Sequence, residues 1–146
     1  MNNNSASWIV GLVLSIGGII ILFLPWFEAT VLFTSVSYDA FDMAFGDPFQ
    51  EDGFWKNFDD LGRFCPLIFG LLSFLNIIVF YQAKDKKASR FVYVSSILMM
   101  LIPVYVMICI DPASGSGWRR AIGSANYIGL VIGFISVIVG YNCCRN

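Results

Sequence analysis

The chain contains no histidine. That removes the commonest general base, most zinc sites, and every serine–histidine or cysteine–histidine nucleophile pair. Charge is also scarce: 13% of the 146 residues are Asp, Glu, Lys or Arg, against about a quarter in an ordinary soluble domain. It is clustered as well, and Met1 to Phe27 holds no ionisable side chain. No phosphate-cradling glycine loop, EF-hand spacing or basic patch occurs, so nucleotide, calcium and nucleic-acid binding have no motif to rest on. We therefore expect no catalytic residue, no metal, no cofactor and no nucleic-acid partner.

What the chain has instead is long uncharged runs, and 58% of its residues are hydrophobic. Trp8 to Phe27 gives 20 residues, Phe64 to Tyr81 gives 18, Phe91 to Ile110 gives 20 and Ala121 to Tyr141 gives 21. At about 1.5 Å rise per residue, each can cross roughly 30 Å of hydrocarbon as a helix. Helix is the required form, since amides in lipid must bond within their own segment. The reading is one all-α membrane domain over 1–146: a four-helix transmembrane bundle with spans near 8–27, 61–82, 91–110 and 121–141. The first run is expected to be a retained span: "NNNSAS" carries no Lys or Arg, and no small-residue cleavage site follows. None of the four uncharged runs (Phe64 to Tyr81 in the second span) contains Asp, Glu, Lys or Arg, which disfavours ion-coupled transport.

Orientation follows the basic residues. "AKDKKASR" carries Lys84, Lys86, Lys87 and Arg90, so this link is expected in the cytoplasm together with both termini. The expected location is the plasma (cytoplasmic) membrane. Loop 28–60 then lies outside, predicted as a small β/α cap, with Arg119 and Arg120 on the same face against the positive-inside trend. Trp26 and Trp118 are expected as outer interface anchors, and Trp8, Tyr81, Tyr93 and Tyr141 as inner ones.

Lipid supplies no hydrophobic drive for helix association, so close packing relies on small residues. The fourth span carries Ala125, Gly129, Gly133, Ser136 and Gly140 on one face; the first has Gly11, Ser15 and Gly18, and the second has Pro66, Gly70 and Ser73. These seams could face their own bundle or a second copy. Asn76 and Asn126 are the most polar side chains at depth, suited to bonding between helices. Cys65 and Cys109 lie near the outer ends of spans two and three and are a candidate disulfide pair.

In the outer loop, "EATVLFTSVSY" reads as a strand or short hairpin. Asp39 with Asp42 is placed to cap a short helix ending near Gly46, and "DPFQ" starts another at Asp47. Phe41, Ala44 and Phe45 form an apolar face expected to lie on the bundle. Asp39, Phe41, Asp42, Phe45, Asp47, Phe49, Trp55, Arg119 and Arg120 are the candidate outer contact residues. The loop is expected to fold over the bundle mouth, with carboxylates pairing with Arg119 or Arg120.

A first span ending in "LPWFEAT", a strand-like stretch with "YDAFDMAFG", and a last span "YIGLVIGFISVIVG" resemble small bacterial four-span membrane proteins of uncharacterised function. The layout is also similar to claudin-like tetraspans, without their Gly-Leu-Trp motif or paired loop cysteines. The resemblance implies architecture alone; from the missing catalytic chemistry and the acidic, aromatic outer loop we expect a non-enzymatic protein acting through contacts, with copies of itself or with a partner. The alternative is an accessory or immunity-type subunit of a transporter, channel or toxin system; a small transporter comes third.

Overall fold

The computed structural model describes residues 4–31, 34–45, 60–83, 90–109 and 118–145. Expectations that fall on 46–59, including Asp47, Phe49 and Trp55, lie outside the described residues. Helix α1 (Asn4–Ile20) runs into a 3₁₀ turn (Ile21–Phe23), then strands β1 (Phe27–Val31) and β2 (Thr34–Tyr38) and helix α2 (Ala40–Phe45). Then come α3 (Asp60–Gln82), α4 (Arg90–Cys109), β3 (Trp118–Ile122) and α5 (Ser124–Arg145).

Four helical stretches are long and apolar enough to cross a membrane: Ala6–Phe23, Leu61–Gln82, Arg90–Cys109 and Ser124–Arg145. Three boundaries differ from the expected ones by three residues or more, the end of the last span at Arg145 rather than Tyr141 among them. The first stops at Phe23 rather than Phe27, because Leu24 precedes a proline and turns extended (φ −90°, ψ 156°). The last starts at Ser124, because Ala121 and Ile122 belong to β3.

Helix α1 packs on α3 and α5, and α4 packs on the same two, so the four form a ring whose neighbours are antiparallel. The ring has its polarity reversed relative to a soluble bundle. Ser15, Ser73, Asn76, Ser95, Ser96, Asn126 and Ser136 are buried inside, whereas Val13, Leu71, Phe74, Val131, Phe134 and Ile138 face outward and are more than half exposed or nearly so. Water would penalise that outer surface; hydrocarbon would not. The interior is filled by Phe69, Phe80, Met99, Val92 and Val106, with Pro66 and Pro103 fully buried within α3 and α4.

The small residues do the close packing within the ring. Gly11 faces the Phe80 ring, Gly18 faces Ser73 and Phe69, and Gly70 faces Leu22. On α5, Gly129 meets Ile21 and Pro103, Gly133 meets the α4 backbone at Met99 and Met100, and Gly140 meets Val92 and Tyr93. Ala125 is fully buried. Buried Ser15 and Ser73 donate to the carbonyls of Gly11 and Phe69 one turn back. The seams thus face their own bundle.

The three strands form one antiparallel sheet in the order β2-β1-β3 at the end of the ring where α1 stops and α5 starts. Phe27 pairs with Tyr38 on one side and Ile122 on the other, and Val31 pairs with Thr34 and Trp118.

Candidate functional site

The cap at the sheet end is organised by "LPW". Pro25 cannot donate, but its carbonyl accepts the Ala125 amide at 3.0 Å. Trp26 uses its amide on the Tyr38 carbonyl (2.9 Å), while its carbonyl accepts from the Gly123 amide (3.1 Å) and the Asn126 side chain. One residue therefore ties β2, β3 and the start of α5 together. A side chain at Gly123 would overlap the Pro25 carbonyl, which is why glycine stands there.

Trp26 corrects the expectation of an interface anchor. It is fully buried, with Nε1 donating to the Ile21 carbonyl (3.1 Å) and its ring edge-on to Phe69. Asn126 is a second correction. It bonds the carbonyls of Trp26 and Gly123 at the junction rather than another helix. Its Oδ1 has no donor among the described residues. Asn76 does bond between helices: it accepts from Ser95 and donates to the Met99 sulfur at 3.2 Å.

Asp39 caps α2 as its type and spacing predict: Oδ1 accepts the amides of Phe41 (2.8 Å) and Asp42 (2.9 Å). Asp42 reaches back toward the Asp39 amide at 3.5 Å. At the far end of α2, Arg63 Nε lies 3.4 Å from the Met43 carbonyl, a cation placed where the helix dipole favours one. Burial pushes the Tyr38 phenol above its ordinary range, and the Asp42 carboxylate adds to this.

The buried face of α2 is Ala40, Met43 and Ala44, not Phe41 and Phe45. Those two rings stand at the rim, 42% and 71% exposed, each beside a ring from a span end: Phe23 at 5.7 Å and Phe64 at 6.2 Å. The spacing explains the difference. Phe41 and Phe45 are four apart on one stripe, and Ala40, Met43 and Ala44 lie on the next.

Arg119 and Arg120 lie in β3, their backbones opposite Thr30 and Ala29 of β1. The third connection and the first loop are thus joined in one sheet; the side chains of both arginines lie outside the described residues. Cys65 and Cys109 are not joined in a disulfide. Between α3 and α4 at this end there is a groove of about 270 Å³ whose lining includes Leu61, Cys65 and Tyr105.

Sequence reasoning missed β3, and with it the pairing of Gly123 and Asn126 to the Leu-Pro-Trp turn. The available signal was Trp118 to Ile122 followed by a glycine, hidden because Ala121 and Ile122 continue into an apolar run. Among the described residues, no group of three or more His, Cys, Asp or Glu could hold a metal ion. No protein-family model matches the chain, and no curated protein is significantly similar to it.

Proposed function

We propose that the chain is a four-span plasma-membrane protein, both termini cytoplasmic, that acts through protein–protein contacts made by its extracytoplasmic cap. The observation that carries the contact reading is the α2 rim. Phe41 and Phe45 stand exposed on a helix fixed at one end by Asp39 and buttressed at the other by Arg63. Exposed aromatics rimmed by carboxylates, on a rigid support, suit a partner surface. The glycine seams are used within the bundle, which moves the contact surface from the spans to the cap. The inverted polarity of the ring supports the membrane placement, and the Lys84–Arg90 cluster supports the orientation. The resemblance to small bacterial four-span proteins belongs to the same proposal.

The test has two parts. In intact cells, an impermeant thiol reagent should modify Gln50→Cys and spare Ala88→Cys; the reverse pattern inverts the topology. Mass analysis of complexes purified from native membrane should then show a partner, either a second copy or another membrane protein. Phe41→Ser with Phe45→Ser should release it. A chain that runs alone, or a partner held equally by the double variant, would overturn the cap as the contact surface.

A further inference from the structure

The end of the bundle away from the sheet carries two matching stripes that neither the packing nor the cap uses. On α4, Arg90 and Tyr93 are three residues apart; on α5, Tyr141 and Arg145 are four apart, so each pair shares one helix face. The two helices touch here, because Gly140 meets Val92 and Tyr93. The Tyr93 and Tyr141 rings lie 6.1 Å apart and are 37% and 51% exposed. Both arginines are exposed as well. Cys144 joins the stripes, its sulfur against the Tyr93 backbone and within electrostatic reach of the Arg90 guanidinium. In each stripe the arginine stands nearer the helix end, about 4.5 Å beyond Tyr93 and about 6 Å beyond Tyr141.

We propose that these four side chains bind the headgroup of an anionic phospholipid in the leaflet at that end, the guanidiniums on its phosphate and the rings beside its glycerol. The inference rests on the membrane placement proposed above, but not on which side of the membrane this end faces. Its first support is order along the membrane normal. Phenol rings settle at the headgroup level, and a guanidinium one turn further out reaches the phosphates.

The second support is charge. Neither α4 nor α5 contains Asp or Glu. The acids among the described residues are Glu28, Asp39, Asp42 and Asp60, all at the sheet end. Two neighbouring guanidiniums with no described carboxylate at their end suit a phosphate, which accepts paired N–H bonds from each. The third support is the sign of the charge at the start of α4. The helix opens on Arg90 with no acid in its first turn, so a cation stands at the positive pole of the helix dipole. A bound anion offsets both.

The experiment is native mass spectrometry of the full chain, solubilised in detergent, delipidated, and titrated with palmitoyl-oleoyl phosphatidylglycerol against phosphatidylcholine of the same tails. Retention of the chain in carbonate-washed membranes is measured first. One phosphatidylglycerol per chain should bind ahead of phosphatidylcholine. Arg90→Gln or Arg145→Gln should weaken it about fivefold, and the double variant should abolish the preference. Tyr93→Leu with Tyr141→Leu should also weaken it. Lys56→Gln, which removes the same charge from loop 28–60, should leave the preference unchanged. All four site residues are exposed, so thermal unfolding without lipid should match the parent chain.

Equal binding of the two lipids, or full binding by the arginine double variant because Asp85 already holds Arg90, would overturn the site while leaving the membrane placement intact. An equal loss in Lys56→Gln or Lys86→Gln would do the same, since it would mean diffuse attraction only. Displacement of the lipid by an equimolar amount of inorganic phosphate would replace the headgroup with a free anion. A chain washed off by carbonate would overturn both the site and the placement.

Discussion

Helix α4 meets its two neighbours in opposite ways. Toward α5 the contact is backbone to backbone, and a Cβ on Gly133 would sit 2.7 Å from the Met100 Cα. Toward α3 the contact is made by side chains, with Asn76, Ser95 and Met99 linked by hydrogen bonds, beside an open groove toward the sheet end. The first contact has no slack and the second has several ways to rearrange. Association in lipid depends on shape more than on polar bonds, because a polar group freed in the membrane finds other partners. The two faces should therefore differ in how they respond to a single substitution.

The sharpest break is Gly133→Ile. It places four carbons against an α4 backbone that cannot move aside. Thermal unfolding in detergent should show a loss of about 3 kcal/mol or more. Parity with the parent chain would mean that the seam is loose. Asn126→Leu tests the junction, where steric fit and hydrogen bonding act together. Removing the amide leaves the Trp26 carbonyl with the Gly123 amide alone, and the expected loss is about 1–3 kcal/mol.

Asp39→Ala removes the cap from α2 and should cost about 1 kcal/mol, with faster hydrogen exchange confined to the amides of Phe41 and Asp42. Asn76→Leu, the matching test on the α3 side of α4, should cost only about 0.6 kcal/mol, the typical value for a bond between membrane helices. A loss as large as that of Gly133→Ile would erase the distinction between the two faces. The smallest effect is from Tyr38. Its phenol is held above the ordinary value of about 10, so the fold keeps a proton that the unfolded chain releases. Stability should be level below pH 10 and decline above it, and Tyr38→Phe should reduce that decline.

The spans were legible because a run of twenty uncharged apolar residues has few alternatives, and their seams because glycine at four-residue spacing marks one helix face. The Asp39 cap was equally plain, since its chemistry is local. Legibility failed where an element depends on a distant partner. "WRRAI" becomes a strand only because β1 lies beside it, and nothing within five residues announces that pairing. Trp26 looked like an interface ring because composition favours that role. Its burial follows from the turn at Leu24, which Pro25 announces, and from Phe69, which nothing in the local sequence places beside it.

The Leu-Pro-Trp junction also sets an order of events during synthesis. Trp26 leaves the ribosome early, but Asn126, which bonds its carbonyl, follows 100 residues later. At about 5–20 residues per second, that interval is roughly 5–20 s. Throughout it β1 has β2 as its only strand partner, and the Trp26 and Pro25 carbonyls wait for donors carried by the last segment. The cap is therefore completed only when α5 is in place beside α1. A chain stopped before Trp118 keeps three of its long helices but leaves the β1 edge that β3 would cover unpaired, and so differs from a finished molecule in a way a membrane protease can read.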